Sequence, residues 1–367
     1  MPLCDRVPSH VRRIAPYQPG KPIAELAREM GIPADEIVKL ASNENPLGTS
    51  PRVLAAIENV FLDLARYPDG NGFALKTALS ERYGVGVDGI VLGNGANDIL
   101  DMVARAFLSP GTSAVYAQYA FAIYALEVQT VGARGIEVPA RDWGHDLTAM
   151  LEAIEDDTHV VFIANPNNPT GSWLSPAALQ DFIARVPRDV LVVLDEAYFE
   201  YLAPEERGDS VAWIAHHPNL VVLRTFSKAY GLAGLRVGFA LTSFEVADML
   251  NRVRQPFNVN ALAQAAAVAA LEDEPFLEHC LEINASGMEQ LEEGLRHLGV
   301  EFIPARGNFL CCRVGDAKGV FQRLLRQGVI VRPIANYGMP EHLRVSVGLE
   351  SENARFLQAL KNALDKD

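Results

Sequence analysis

The sequence has few cysteines, and this shortage excludes two classes of protein. The 367 residues include only four, Cys4, Cys280, Cys311 and Cys312, and none of them forms a C-x-x-C pair. Such a set does not suit a disulfide framework or a thiolate metal site, and a bridge between the adjacent Cys311 and Cys312 would be strained. We therefore expect reduced thiols, a cytoplasmic location and no bound metal.

Basic residues are also in short supply. The chain carries 32 Lys and Arg against 46 Asp and Glu, which leaves a formal net charge of -14. Because a protein of this sign repels phosphate backbones and anionic lipids, we expect neither nucleic acid nor membrane as a partner. Any phosphate group that the protein binds must be held by a few well-placed cations.

The sequence lacks apolar runs long enough for export or membrane insertion. Residues 1–16 contain no apolar core of the kind found in signal peptides. The alanine-rich run 261–271 is too short, and its side chains too small, to span a membrane. We therefore expect a protein that is neither exported by such a signal nor inserted in a membrane.

Short apolar runs are present in a regular pattern. Hydrophobic residues make up 49% of the chain, as in an ordinary globular protein. Seven apolar runs are mostly separated by stretches of helical periodicity, which predicts an α/β fold with a mostly parallel seven-stranded sheet between layers of helices. The link at 225–236 is short for a parallel crossover, so the last strand is predicted to be antiparallel. The runs are 90–92, 113–116, 134–138, 159–163, 190–194, 220–223 and 237–241.

The chain divides by character into three parts. Residues 1–50 are rich in proline and turn formers, which predicts an extended arm with one short helix near 22–30. Residues 51–258 hold the predicted sheet and are expected to form a large domain, and residues 259–367 a smaller α+β domain. Periodicity predicts further helices at 51–64, 73–83, 96–108, 120–131, 176–186, 210–217, 261–272, 275–298 and 351–364, and short strands at 300–303, 309–314, 329–331 and 343–347.

Polar residues follow several of the predicted strands at the point where each strand ends. They are Gly95-Ala96-Asn97, residues 165–171 (NPNNPTG), Asp195 to Tyr198 (in DEAYFEY) and Thr225 to Lys228. In open α/β sheets, ligands bind beyond the carboxyl ends of the strands. The sequence therefore predicts one site at this edge of the sheet, built from all four segments.

Lys228 is the candidate nucleophile of this site. It stands in RTFSKAYGLAGLRVGF (224–239), just after a buried strand, with Thr225, Ser227 and Arg236 nearby. Burial and a neighbouring cation lower the pKa of a lysine and free its amine, while hydroxyls and an arginine suit a phosphate. Lysines after strands are commonly solvated, but an amine beside a phosphate site indicates pyridoxal 5'-phosphate (PLP) bound as a Schiff base.

The same string resembles the lysine region of the class II PLP-dependent aminotransferases, and most closely the histidinol-phosphate aminotransferases. Matching motifs run from APYQPG, which contains Tyr17, to HLRVSVG, which contains Arg344. The resemblance implies PLP fold type I, a homodimer with shared active sites, and a small-molecule amino donor and 2-oxo acid as substrates. It further implies transamination between histidinol phosphate and 2-oxoglutarate in histidine biosynthesis, with Lys228 as the catalytic residue.

The resemblance also implies a role for each polar residue at the edge of the sheet. Asp195 would bond the pyridine nitrogen and keep it protonated, so that the ring acts as an electron sink. Asn168 and Tyr198 would bond the phenolic oxygen, and Phe121 would stack on the ring. The other implied cofactor contacts are Gly95, Ala96, Asn97, Thr225, Ser227 and Arg236 at the phosphate, with Tyr67 from the partner subunit.

Three residues are implied to bind substrate: Tyr17, Arg332 and Arg344. Arg344 lies inside a predicted strand, where a guanidinium is costly without an anion, and its fork suits a carboxylate. Spacing alone leaves other roles open for Tyr17 (packing of the arm), Tyr67 (cover of the core), Phe121 (a core residue of an amphipathic helix) and Arg332 (an exposed charge). The loop ASNENPLG (41–48) matches the family and receives no role beyond lid and turn.

Three alternatives stay open at this point. An imidazole pocket also admits phenyl rings, so the chain is alternatively an aromatic amino-acid aminotransferase. A related PLP enzyme that decarboxylates a phosphorylated amino acid would keep the same cofactor site. A non-catalytic PLP-fold module of a transcription regulator is disfavoured, because the sequence has no basic DNA-binding segment.

Overall fold

The computed structural model describes residues 3–16 and 19–365. Within these ranges, helices and strands alternate along much of the chain. The strands are β1 (Val38–Lys39), β2 (Ile90–Gly93), β3 (Ser113–Ala117), β4 (Arg134–Val138), β5 (Thr158–Ala164), β6 (Leu191–Asp195), β7 (Leu220–Thr225), β8 (Gly238–Leu241), β9 (Phe302–Ile303), β10 (Phe309–Arg313), β11 (Val329–Ile330), β12 (Arg332–Pro333) and β13 (His342–Ser346). The α-helices are α1 (Ser9–Arg12), α2 (Ile23–Met30), α3 (Pro51–Val60), α4 (Phe73–Tyr83), α5 (Ala96–Phe107), α6 (Ala122–Thr130), α7 (Leu147–Glu152), α8 (Pro176–Arg185), α9 (Ser210–Trp213), α10 (Phe244–Val253), α11 (Ala261–Leu271), α12 (Glu274–His297), α13 (Ala317–Arg326) and α14 (Glu350–Leu364).

The predicted seven-stranded sheet is confirmed, and each apolar run supplies one of its strands. The strand order is β2-β8-β7-β6-β5-β3-β4. Strand β8 runs antiparallel to both of its neighbours, as predicted from the short link, and the remaining pairs are parallel. All residues of β6 and β7 are buried, which explains why these strands are continuous apolar runs rather than alternating ones. The parallel strands β5, β6 and β7 therefore end at the same edge.

A second sheet forms from the later part of the chain. Strands β12, β13, β10 and β9 are antiparallel neighbours in that order. Strand β1, from the N-terminal part, pairs in parallel with β11. Side chains of this sheet form one hydrophobic cluster with α12, α13 and α14, whereas α11 contributes to the cluster of the large sheet. The division into residues 1–50, 51–258 and 259–367 stays a prediction.

Two helices end several residues before the point that their periodicity predicts. Helix α3 ends at Val60 and is followed by a 3₁₀ turn, Phe61–Asp63. Its apolar continuation, Phe61, Leu62 and Leu64, lies exposed instead of packing on the chain's own core. Helix α9 ends at Trp213, where the predicted helix continued to residue 217. Helices α1, α7, α10 and α13 were not predicted. No helix in residues 3–16 or 19–365 is long and apolar enough to cross a membrane.

Candidate active site

A cavity of about 230 Å³ lies beyond the carboxyl ends of the central parallel strands, between the two sheets. Most of the predicted site residues line it. They are Ala96, Asn97, Phe121, Asn168, Asp195, Tyr198, Thr225, Ser227, Lys228, Arg236, Arg332 and Arg344. Residues far apart in sequence therefore meet at one place, as the strand-end pattern predicts.

Lys228 lies three residues beyond the end of β7, with most of its side chain buried. Its Nζ donates to the backbone carbonyl of Ser42 at 3.3 Å and lies 5.6 Å from the centre of the Tyr198 ring. Burial, and then the neighbouring Arg344 guanidinium, lowers the pKa of Lys228 to about 7. A substantial share of this amine is therefore neutral near pH 7, as a nucleophile or general base requires.

Asp195 ends β6 and is buried. Its Oδ2 accepts a 2.7 Å hydrogen bond from the Tyr124 hydroxyl, and its Oδ1 accepts one from the backbone N–H of Ala197. Burial raises the pKa of Asp195 to about 6, although the Tyr124 hydrogen bond acts in the opposite direction. No Lys, Arg or His of the described chain forms an ion pair with it. A carboxylate in this state is suited to a ligand that brings a positive charge, such as a protonated ring nitrogen.

Arg344 orients the amide of Asn168. Its Nη1 donates to Asn168 Oδ1 at 2.6 Å and its Nη2 to the Ala41 carbonyl at 2.8 Å. Because the amide oxygen is engaged, the NH2 group of Asn168 remains to donate elsewhere. The Nε atom of Arg344 is buried and finds no hydrogen-bond partner among the described residues. An anionic ligand would satisfy this donor.

Arg332 and Arg344 lie side by side on neighbouring strands. They are directly opposed in the register of β12 and β13, and both are buried. Two like charges at opposed positions destabilise a sheet, and an anion bound between or above them would relieve that repulsion. The pair suits a substrate with an acidic group.

The anion cradle is formed by the start of α5 and the turn before β8. Gly95 has φ +82°, and a Cβ there would stand 2.3 Å from Arg236 Nη2, so only glycine lets the guanidinium approach the helix start. The Nη1 group of Arg236 donates to Ser227 Oγ at 3.4 Å and to the Ala233 carbonyl at 3.1 Å, and it pairs with no carboxylate of the described chain. An unpaired guanidinium beside free helical N–H groups and hydroxyls fits a phosphate.

One predicted site residue among those described, Tyr67, does not meet the others in this chain. Tyr67 is 82% exposed at the surface, where its ring stacks on Phe257 at 4.7 Å. Tyr17 lies outside the described residues. Phe121 lines the cavity just before α6, with its ring edge-on to Tyr124 at 5.9 Å.

Three residues that sequence reasoning left without an individual role contact predicted side chains of the site. Tyr124 holds Asp195, Ser42 accepts from Lys228, and Asn43 donates from Nδ2 to Tyr198 Oη at 2.9 Å. Burial raises the pKa of Tyr198 to about 12, so that its hydroxyl keeps its proton near neutral pH. Tyr124 lies three residues after Phe121, on the next helical turn, which was the one local signal available.

Comparison with known proteins gives the family. Residues 35–360 match the model of aminotransferase class I and II. The chain is 62% identical over 362 residues to a histidinol-phosphate aminotransferase of Methylobacillus flagellatus, covering 99% of this chain and 98% of that one. It is 62% identical over 366 residues to histidinol-phosphate aminotransferase 1 of Thiobacillus denitrificans, covering 98% of this chain and 95% of that one. The crystal structure of histidinol-phosphate aminotransferase from Sinorhizobium meliloti in complex with pyridoxal-5'-phosphate superposes with a TM-score of 0.90 at 27% identity, covering 98% of this chain and 97% of that one. The chain therefore belongs to the class I and II aminotransferases.

Proposed function

We propose that this enzyme transfers the amino group of histidinol phosphate to 2-oxoglutarate, giving imidazole-acetol phosphate and glutamate in histidine biosynthesis. One observation supports it most directly: Lys228, whose pKa is lowered to about 7, lines one cavity together with the buried carboxylate of Asp195 and the anion cradle at Arg236. The two relatives that are 62% identical to this chain are both named as histidinol-phosphate aminotransferases.

The cofactor is pyridoxal 5'-phosphate, and the cavity contains a suitable partner for each of its polar groups. Its aldehyde condenses with primary amines, and its ring accepts the electron pair left when a C–H bond breaks. We assign the phosphate to Arg236, with Thr225, Ser227 and the α5 start at Gly95, Ala96 and Asn97. Asp195 is assigned to the ring nitrogen, Asn168 and Tyr198 to the phenolic oxygen, and Phe121 to the ring face.

Lys228 is assigned the proton transfers of the reaction. With a pKa near 7, its amine would be suited to take a proton from the substrate Cα and, once protonated, to give a proton back. The positive charge of Arg344 opposes protonation of Lys228 and so helps to lower the pKa of its amine. Asp195 would support the same step, because its carboxylate would hold the ring nitrogen of the bound cofactor and favour its protonated form.

Arg344 and Arg332 are assigned to the acidic group of the substrate. The two substrates of the cycle differ here, since 2-oxoglutarate presents a carboxylate and histidinol phosphate a phosphate monoester. Guanidinium groups bind both with paired hydrogen bonds. Tyr17 stays a predicted substrate contact.

A substrate panel tests the proposed specificity. We expect kcat/KM for histidinol phosphate to exceed that for phenylalanine, tyrosine and aspartate by at least about 100-fold, since phenylalanine and tyrosine present only a singly charged carboxylate to the two arginines in place of a phosphate monoester, and aspartate lacks the ring. Initial rates with 2-oxoglutarate as acceptor measure it. Faster turnover of phenylalanine would select an aromatic aminotransferase, and carbon dioxide release without 2-oxoglutarate would select a decarboxylase.

We propose a homodimer in which Tyr67 completes the partner's site. An apolar patch of strongly exposed side chains supports it: Leu54, Phe61, Leu62, Leu64, Tyr67, Phe73 and Phe257. Patches of this kind mark protein interfaces. Leu62, at 96% exposure, gains most from being covered.

A cytoplasmic location is proposed as well, on the free state of all four cysteines.

Hybrid dimers test whether Tyr67 acts across the interface. Tyr67→Ala and Lys228→Ala chains with different affinity tags are co-expressed, and the mixed dimer is isolated. If each site takes Lys228 from one chain and Tyr67 from the other, the hybrid contains one intact site and regains about half of the wild-type activity, well above either parent. Activity no higher than half that of the Tyr67→Ala dimer would place Tyr67 in its own chain's site, and a monomeric active protein would exclude the dimer.

A further inference from the structure

The loop Ala41–Asn43 contacts three functional side chains of the site, one through each residue. The Ala41 carbonyl accepts from Arg344, the Ser42 carbonyl from Lys228, and the Asn43 side chain donates to Tyr198. This loop opens the ASNENPLG segment, to which the sequence assigns only a lid and a turn. Of the three contacts, the one from Asn43 is made by a side chain, so substitution can test it.

Asn43 is held rigidly by residues of the four-stranded sheet and the segment beside it: Ser346 in β13 and Asn308 just before β10. It is 1% exposed, and its backbone has φ +53°. Its N–H donates to Ser346 Oγ at 2.8 Å, and its carbonyl accepts from Asn308 Nδ2 at 3.0 Å. Its side-chain Oδ1 accepts from Ser346 Oγ at 3.0 Å. With backbone and side chain both bound, the amide has no freedom to turn.

This network determines which end of the Asn43 amide faces Tyr198. The Ser346 hydroxyl already accepts the N–H of Asn43, so its own proton is left to donate to Asn43 Oδ1. The Asn43 NH2 group then faces Tyr198 Oη at 2.9 Å. A hydroxyl that accepts from an NH2 group must direct its single proton elsewhere. For Tyr198, which lines the cavity, that direction includes the ligand.

We propose that Asn43 is a positioning residue that fixes the Tyr198 hydroxyl as a hydrogen-bond donor to the phenolic oxygen of the cofactor. The inference rests on the proposed function, because it needs that oxygen in the cavity. Tyr198 is the group that touches the cofactor, and Asn43 acts through it. Since Asn43 is bound to Ser346 and Asn308, the proposal also links the orientation of the tyrosine to the four-stranded sheet.

The pH dependence of the cofactor's visible absorbance reports this hydrogen bond. An anionic phenolic oxygen stabilises a proton on the nearby Lys228 nitrogen, and a donor from Tyr198 withdraws part of that negative charge. The nitrogen therefore loses its proton at lower pH when Tyr198 donates. Losing the donor moves the absorbance midpoint to higher pH, by about one unit for one charge-assisted hydrogen bond.

The experiment compares holoenzymes carrying Asn43→Asp, Asn43→Gly, Tyr198→Phe and the two double substitutions. Aspartate is isosteric but can only accept from Tyr198, so it reverses the hydrogen bond, and glycine removes it without adding charge. Both residues tolerate a positive φ. We expect each Asn43 variant to raise the midpoint toward that of Tyr198→Phe and to lower kcat/KM about 10-fold. Asn45→Asp is the matched control: Asn45 lies in the same loop and bonds to Ala229 and Cys280, so this variant is expected to keep the wild-type midpoint.

The double substitutions separate positioning from a general charge effect. If Asn43 acts through Tyr198, its substitution shifts the midpoint by less than half as much in the Tyr198→Phe background. An undiminished shift there, or wild-type midpoints in both single Asn43 variants, overturns the inference. Wild-type protein that acquires no visible band with PLP overturns the proposed function instead, so the two failures are distinct. Thermal unfolding of the apoproteins identifies a variant that fails to fold, and the other Asn43 variant then decides.

Discussion

Replacing Lys228 with alanine is expected to abolish turnover, with a loss of at least about 10⁴-fold in kcat. The chain then lacks both the amine that joins the cofactor and the group that moves the proton at Cα. No other lysine lines the cavity among the described residues, so no second amine replaces it. Reduction with borohydride in the presence of PLP, followed by peptide mass spectrometry, is expected to label Lys228 in the wild type and nothing in the variant.

Lys76 supplies the matched control for this substitution. Burial lowers its pKa as well, but it lies on α4 away from the cavity lining. Lys76→Ala is therefore expected to keep the borohydride label on Lys228 and the wild-type kcat. Label on a lysine other than 228, or an active Lys228→Ala variant, contradicts the assignment. A lowered lysine pKa alone thus does not identify the nucleophile, whereas its position between Asp195 and Arg236 does.

Replacing Asp195 with asparagine is expected to have two effects of opposite sign. Activity should fall by roughly 10²- to 10⁴-fold, because a positive ring nitrogen loses the buried carboxylate that stabilises its charge. The apoprotein should become more stable above pH 6, because a buried unpaired carboxylate is removed. A residue with a purely structural role would lower activity and stability together.

The sign of the stability change follows from the pKa of Asp195. The folded protein holds this proton up to about pH 6, whereas the unfolded chain releases it near pH 4. Between these values the folded state binds more protons, so the ionisation of Asp195 makes wild-type stability fall as the pH rises. Asparagine never ionises. The free energy of unfolding of the variant should therefore equal that of the wild type below pH 4 and exceed it by as much as roughly 3 kcal/mol above pH 6.

Urea unfolding of the apoproteins from pH 4 to pH 8 measures this difference. Adding PLP should reverse it, because the wild type then gains a cation for its carboxylate and the variant does not. Asp157→Asn is a control at a partly exposed carboxylate, whose pKa is lowered by Arg134 rather than raised. It should change stability in the opposite direction and leave activity unchanged. A stability difference between Asp195→Asn and the wild type that is independent of pH would contradict the raised pKa.

The layout of the large sheet was predictable because its signals are local. Each strand is a short run such as Leu220–Leu223, buried on both faces and bounded by turn formers. The antiparallel direction of β8 followed from the shortness of the link at 225–236. Helix extents were less predictable where apolar residues face outward: periodicity continued α3 through Phe61 and Leu64, which lie exposed in the folded chain. Periodicity reports which residues are apolar, but not what covers them.

For the site, the sequence by itself determined which segments end strands, and hence that Asn168, Asp195 and Lys228 would meet at one edge. It also determined the family, through motifs spread from Tyr17 to Arg344. Only the tertiary structure decided how these groups act on one another: that Tyr124 holds Asp195, that Arg344 turns the amide of Asn168, and that Asn43 faces Tyr198. Hydrogen-bond direction and burial depend on atoms from several elements at once, and no local run of residues encodes them.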